Sequence, residues 1–438
     1  MPTFMPRKLI FVLLAVWLVL PASLARSAEP VTADDTARFL AGLSPSAGSP
    51  LAALTNDGLW REHSRYFDSI FGREDAKLAK VRAFSQSQLT DKHDALLYFF
   101  SGPDFLYATN LFPNASTYVL AGLEPAGDIP QLSSLSRPAV AETLHNLENS
   151  LGTILNYSFF ITIKMKTQLS TGPVYGTLPV LYVFLARTGK TIHEVNFVGL
   201  DAEGNVEDLG PIGDGRKAAR SASAAKGVKI VFSDGAGPSQ TLYYFSTNLA
   251  DDGVRRSGFL AFCAKLGPSD AFIKSASYLL HGGGFSTVRS FLLAHSALIL
   301  QDDSGIPLAY FDPKKWKLQP YGRYVGPLHI FGRSYQPGMA ELFRKEATPI
   351  DFGIGYRWQR NESNLLLAEK TAAATSDGDV APADHTPTAA DGQPHKPRAA
   401  TNPSRRKRVE SDTTGSLGCP GIRGLFTFCS DTPPKSNQ

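Results

Sequence analysis

The sequence predicts an α/β (or α+β) protein built on a central mixed sheet with helices on its faces. Three observations carry this. Residues 95–124 read as a buried strand, a turn, a short helix and a second strand, the grammar of a parallel unit. Two pairs of alternating segments between 191 and 249 read as antiparallel hairpins. Segments with one apolar face at helical spacing precede and follow both regions. With 438 residues, 43% of them apolar and 19% charged, the chain can bury a large core, which excludes a disordered protein.

Taken in order, Thr32 followed by Asp34, Asp35, Phe39 and Leu40 predicts a capped first helix. Gly58–Leu89 predicts a long helix with Trp60, Phe67, Ile70 and Phe71 as its stripe. Ala95–Phe100 is a buried strand, Ser101-Gly102-Pro103-Asp104 a turn, Phe105–Leu111 a helix and Ser116–Ala121 a strand ending at Gly122-Leu123-Glu124-Pro125. Val140, Leu144, Leu147, Leu151 and Leu155 place a helix over Pro138–Tyr157. Thr191–Val198 with Asn205–Leu209, and Val228–Ser233 with Thr241–Leu249, form the two hairpins. Helices are expected at Phe259–Leu266, Asp270–Leu280, Ser286–Leu300 and Pro337–Phe343, and strands at Ile306–Phe311, Leu328–Phe331 and Phe352–Trp358.

The ends differ from this body. Arg7 and Lys8 precede twelve apolar residues, Leu9 to Leu20, and then the small residues of Pro21–Ala28. That is the anatomy of a signal peptide, 1–28, and the run falls short of the roughly 20 residues of a spanning helix. Cleavage after Ala25 or Ser27 leaves small residues at the required positions. The chain is therefore expected to be exported, periplasmic or extracellular, with no transmembrane helix after cleavage. The body divides into 29–190 and 191–368. A tail, 369–438, is rich in Ala, Thr, Pro, Asp and Gly, and its composition predicts disorder around a small island, Leu417–Cys429. Cys419 and Cys429 bound that island and are the expected disulfide, while Cys263 reads as a buried thiol. The formal charge of +4 resides in the ends. Glu29 to Lys370 balances 33 basic against 33 acidic residues, so no nucleic-acid partner is expected.

Three constellations carry candidate chemistry. The first is the turn after the 95–100 strand, with Glu124 placed where an acid could hold a ribose. Pro103 lacks the amide a pyrophosphate needs, Asp104 sets a negative charge there, and Gly102 is the one glycine of the turn. Ser101 and Asp104 read as a capping box, and a neutral ligand held by Asp104 or Glu124 fits better than a nucleotide cofactor. No cofactor is expected.

The second is His281-Gly282-Gly283-Gly284-Phe285, which resembles the glycine-rich oxyanion loop of the hormone-sensitive-lipase branch of the α/β hydrolases. The resemblance covers five residues and implies a nucleophile, an acid and a histidine further on. Ser334, in Gly332-Arg333-Ser334-Tyr335, is the nearest substitute for the nucleophile. The later histidines, His385 and His395, fall in the tail.

The third is Asp302-Asp303, close to His295 and followed by Tyr321, Arg323, Tyr324 and His329, a set suited to holding a divalent metal or to acid–base work, though its spacing matches no metal motif. Trp316, Tyr321 and Tyr324 among Lys314, Lys315, Lys317 and Arg323 suggest a contact surface for a glycan or envelope partner. The chain shows no P-loop, zinc pattern or EF-hand. The resulting expectation is an exported protein that binds a small molecule, glycan or envelope partner in a cleft. The alternative is a hydrolase using Ser334 or the Asp302/Asp303 pair, with His281 assisting.

Overall fold

A ten-stranded mixed sheet organises the chain in the computed structural model, which describes residues 30–89, 92–129, 131–157, 174–213 and 221–371. The expected signal peptide and the tail beyond residue 371, with Cys419 and Cys429, lie outside these residues. The expected start of the tail at 369 is overturned, because Glu369 and Lys370 complete the last strand, Asn364–Lys370, where they pair with its neighbours. In chain order the strands are β1 (Ala95–Tyr98), β2 (Thr117–Gly122), β3 (Lys190–Leu200), β4 (Val206–Pro211), β5 (Ala225–Asp234), β6 (Ser239–Ser246), β7 (Ser269–Ile273), β8 (Ser296–Gln301), β9 (Trp316–Gly322) and β10 (Asn364–Lys370). Their order across the sheet is β4-β3-β5-β6-β2-β1-β7-β8-β10-β9.

The five central strands, β6-β2-β1-β7-β8, are mutually parallel. Counted along the chain they run 3-2-1-4-5, the order of a doubly wound sheet. The pairings β3–β4, β3–β5, β5–β6, β8–β10 and β10–β9 are antiparallel. The sheet therefore runs through both halves of the body.

Helices cover both faces. On one side pack α1 (Ala33–Leu40), α2 (Gly58–Gln88), α3 (Phe105–Leu111), α4 (Arg137–Tyr157) and α5 (Leu178–Arg187). On the other lie α6 (Asp251–Val254), α7 (Phe259–Lys265), α8 (Ser286–His295) and α9 (Pro337–Glu346). The pleat of β1 divides its residues between the two cores: Leu96 and Tyr98 face the first, Leu97 and Phe99 the second. Burial on both faces explains its unbroken apolar sequence. Among the described residues no helix is long and apolar enough to cross a membrane.

Local chemistry sets the helix starts. Thr32 Oγ1 accepts from Asp35 N at 3.0 Å at the start of α1, and Asp57 Oδ1 accepts from Leu59 N at 3.0 Å at the start of α2. Asp201 Oδ1 accepts from Asn205 N at 2.7 Å and closes the turn between β3 and β4.

Several expected elements differ. Asp270–Leu280, expected as a helix, holds β7, a turn and a short 3₁₀ segment at Leu279–His281. The expected helix Ser286–Leu300 ends at His295, and the chain continues directly into β8. Both strands are short apolar runs, which periodicity cannot separate from buried helix. The expected strands Ile306–Phe311 and Leu328–Phe331 are instead 3₁₀ turns, Leu308–Tyr310 and His329–Ser334, and Phe352–Trp358 is irregular. β10 was not anticipated. The aromatic stretch from Trp316 is the edge strand β9, with Trp316, Tyr321 and Tyr324 turned into the core rather than outward.

Candidate functional site

From β1 the chain winds outward through β2 to β6, then returns to the far side of β1 for β7 and β8. Strand order thus reverses between β1 and β7, and at such a point the carboxyl edge of a sheet opens to ligands. Backbone strain gathers at the same place. Phe100, just after β1, has φ 60°, and Ser275, Ser277 and Tyr278, after β7, have φ 52°, 53° and 57°. These four are the non-glycine residues of positive φ among the described residues. Each such conformation costs about 1–3 kcal/mol and persists only where its surroundings enforce it.

Asp104 sits on the first turn, buried. Its Oδ1 accepts from Tyr107 N at 3.3 Å, capping α3. Its Oδ2 accepts from Tyr98 Oη at 2.7 Å and pairs with the ammonium of Lys274. Lys274 is equally buried and lies 4.0 Å from the Tyr107 ring centroid. Burial lowers the Lys274 pKa, and Asp104 opposes that shift. The expected capping box between Ser101 and Asp104 does not form, because Asp104 reaches forward to Tyr107 N instead of back to Ser101 N. Ser101 does not cap; its Oγ donates to Gly102 O at 2.9 Å and accepts from Ala121 N at 3.3 Å, tying the end of β1 to β2.

Asp302 and Asp303 end β8, both buried. Asp302 accepts from Ser275 N at 2.8 Å and from Ser304 N and Oγ at 3.0 and 2.5 Å. Asp303 accepts from Tyr278 Oη at 2.6 Å and Asn364 Nδ2 at 3.3 Å. Burial raises both pKa values, and the charge of Asp302 helps push Asp303 up to about 7. Asp302, with two backbone amides and a hydroxyl donating to it, is the better stabilised anion, so the pair's proton belongs on Asp303. Gly355 seals this end: a Cβ there would meet Asp302 Oδ2 at 2.0 Å.

His281 follows the β7 turn, its ring 5.2 Å from that of Tyr278. Burial, aided by Arg289, lowers its pKa to about 4, so the imidazole is neutral at pH 7. His281 Nε2 and Ser275 Oγ are both buried without a hydrogen-bond partner among the described residues. The glycines that follow His281 are exposed, and a Cβ on Gly283 or Gly284 would meet nothing within 4 Å.

Glu124, past the end of β2, is 6% exposed. Its carboxylate has no hydrogen bond or ion pair among the described residues, in contrast to Asp104, Asp302 and Asp303. Oε2 lies against the bare face of Gly122, 2.6 Å from where a Cβ would stand, and Gly102 Cα is 3.1 Å from the same point. The main chain around it is fixed. Tyr244 Oη donates to Glu124 O at 2.7 Å, and Thr177 N and Leu178 N donate to Pro125 O and Ala126 O at 3.1 and 2.9 Å.

The structure thus gathers Asp104, Asp302, Asp303 and His281 around the ends of β1, β7 and β8, with Glu124 on the same edge at β2. It does not bring in the others. Tyr321 lies on the outer strand β9 and donates to Gln88 Oε1 at 2.8 Å, and Arg323 follows it, exposed. Ser334 lies in the 3₁₀ segment, and among the described residues no hydrogen bond joins it to a histidine. Sequence reasoning missed Lys274, Ser275 and Tyr278 because they fell inside an expected helix. Gly267-Pro268 before an apolar run was the available signal for a strand start. Among the described residues no group of three His, Cys, Asp or Glu side chains is placed to hold a metal ion. Comparison with protein-family models, with curated proteins and with solved structures finds no match.

Proposed function

We propose that the chain binds a small, polar, uncharged ligand at the carboxyl edge of its sheet, where strand order reverses between β1 and β7. The observation that carries this reading is the coincidence of that reversal with the four strained residues, Phe100, Ser275, Ser277 and Tyr278. Strain concentrated where a fold offers a ligand crevice is the mark of a functional site. An uncharged ligand fits because the cations at this edge are already engaged, Lys274 by Asp104 and Arg289 by the carbonyls of Leu280 and Gly282. Pro103 also removes a donor that an anion would need.

Hydrogen-exchange mass spectrometry of the full chain with a library of neutral polar metabolites tests the reading. Protection is expected in peptides spanning 98–104, 122–126 and 274–281. Protection restricted to the 190–246 hairpins, or none with any compound, removes it.

We also read the chain as exported, on the pattern of residues 1–28. N-terminal sequencing of the mature protein is expected to find Arg26 or Ala28 first. A mature chain that retains Met1 overturns this.

A further inference from the structure

We infer that Glu124 is the anchor of this site and that it takes a vicinal diol, the group presented by an uncharged sugar or by the ribose of a nucleoside. The inference rests on the binding reading above and narrows it to one acceptor and one ligand chemistry.

Two independent observations meet at Glu124. The first is its accounting: a residue 6% exposed whose carboxylate accepts no hydrogen bond among the described residues and is open to solvent at its tip. Charges on largely buried residues are usually paired or hydrogen-bonded within the fold, so a carboxylate on a rigid segment that is left open only to solvent can take its partner from outside. Its two oxygens accept and cannot donate, which selects a ligand group with two adjacent donors; neighbouring hydroxyls supply them.

The second is its place. Glu124 follows the second strand of a 3-2-1-4-5 parallel series, beside the turn after the first strand, where an acid can reach a sugar's hydroxyls. The glycines at the two strand ends make room for the Glu124 side chain itself, with Tyr244 Oη beside it. With Gly122 the side chain of Glu124 folds over bare backbone, and Gly102 offers no Cβ to the same space. Between Ala126–Asp128 and Tyr175–Leu178 the main chain is locked by Gly127 and Gly176. A Cβ on Gly127 would fall 1.8 Å from Tyr175 O, so the segment carrying Glu124 cannot drift.

The first turn limits what else the ligand carries. With Pro103 lacking N–H and Asp104 already engaged, a diphosphate gains nothing there.

Isothermal titration of the full chain with adenosine, dideoxyadenosine and free ribose, against the parent and Glu124→Gln, tests the assignment. A diol-bearing probe should bind the parent about 10–100-fold tighter than the variant, the range for two hydrogen bonds to a carboxylate. Dideoxyadenosine should bind the parent as weakly as adenosine binds the variant. Ribose competing on equal terms with adenosine assigns the diol to a sugar; adenosine binding alone assigns it to a nucleoside.

Equal affinity for parent and variant, or for adenosine and its dideoxy analogue, overturns the inference. So does failure of both diol probes to bind the parent. In each of these cases exchange protection at 98–104 and 274–281 by another compound leaves the broader reading standing, so the two failures are distinguishable. Glu124→Ala provides a second variant, and a thermal melt no lower than the parent's shows that either variant folds.

Discussion

The two ends of the carboxyl edge bury their acids in opposite ways. At β8, Asp302 and Asp303 are enclosed and their oxygens are engaged by Ser275, Ser304, Tyr278 and Asn364, with Gly355 closing the space above. At β2, Glu124 is as well buried and has none of these partners. Burial by itself therefore does not mark function here; the hydrogen-bond accounting does. The saturated pair has the character of a structural keystone joining β7, β8 and β10. The unsaturated acid is free to work. Between them the Asp104–Lys274 pair forms a charged but internally balanced centre.

The largest effect is expected at that centre. Lys274→Met leaves Asp104 as an uncompensated buried charge and should cost about 3–5 kcal/mol in urea denaturation. Adding Asp104→Asn should recover a large part of the loss, because the two changes share one interaction. A single variant as stable as the parent would show that the pair is not what holds the edge together.

The next effect separates the two acid types by pH. The pKa of Asp303 is raised from 3.8 to about 7 in the folded chain, so the folded state holds this proton more tightly than the unfolded state. Its contribution to stability is complete below about pH 4 and is lost as pH rises towards 7, about 4 kcal/mol in all. Asp303→Asn should flatten that part of the profile, measured as urea midpoints at successive pH values. A profile with the same slope in the variant contradicts the assignment of the proton to Asp303.

Gly355→Ala tests whether the β8 end is sealed. Its Cβ would meet Asp302 Oδ2 at 2.0 Å, so a loss of about 1–3 kcal/mol is expected from overpacking. No change in thermal midpoint would mean that the 353–356 segment moves away freely.

The smallest effect has the opposite sign. Glu124→Gln removes a charge, on a largely buried residue, that has no partner among the described residues and should raise stability by about 1 kcal/mol, read as a higher melting temperature. A destabilised variant would reveal a structural partner for the carboxylate and align Glu124 with the β8 pair.

Much of the fold was legible residue by residue. β1, α3 and β2 stand within two residues of where the apolar runs and the Ser101–Asp104 turn placed them, but the cap of α3 comes from Asp104 to Tyr107 N rather than from a Ser101–Asp104 capping box. The hairpins were marked by alternation and by Asp201 and Gly204 in the first turn. β7, β8 and β10 were not legible. Phe272, Ile299 and Leu366 are buried on both sides of a sheet, and a short run that is apolar on every face has no period to read. At the site, Glu124 and Asp104 could be named from spacing, whereas Lys274 was hidden by the helix expected over it.

The sequence by itself determined the α/β character, the parallel 95–124 unit, the neutral body and the acids available for chemistry, because these depend on local periodicity, turn residues and charge counts. Only the tertiary structure decided that β7 lies against β1, where strand order reverses. It alone paired Lys274 with Asp104, 170 positions away in the chain, and left Glu124 without a partner among the described residues. Partner accounting depends on which distant residues share a buried space, and strand neighbours in a parallel sheet are set by long crossovers that leave no trace in local pattern.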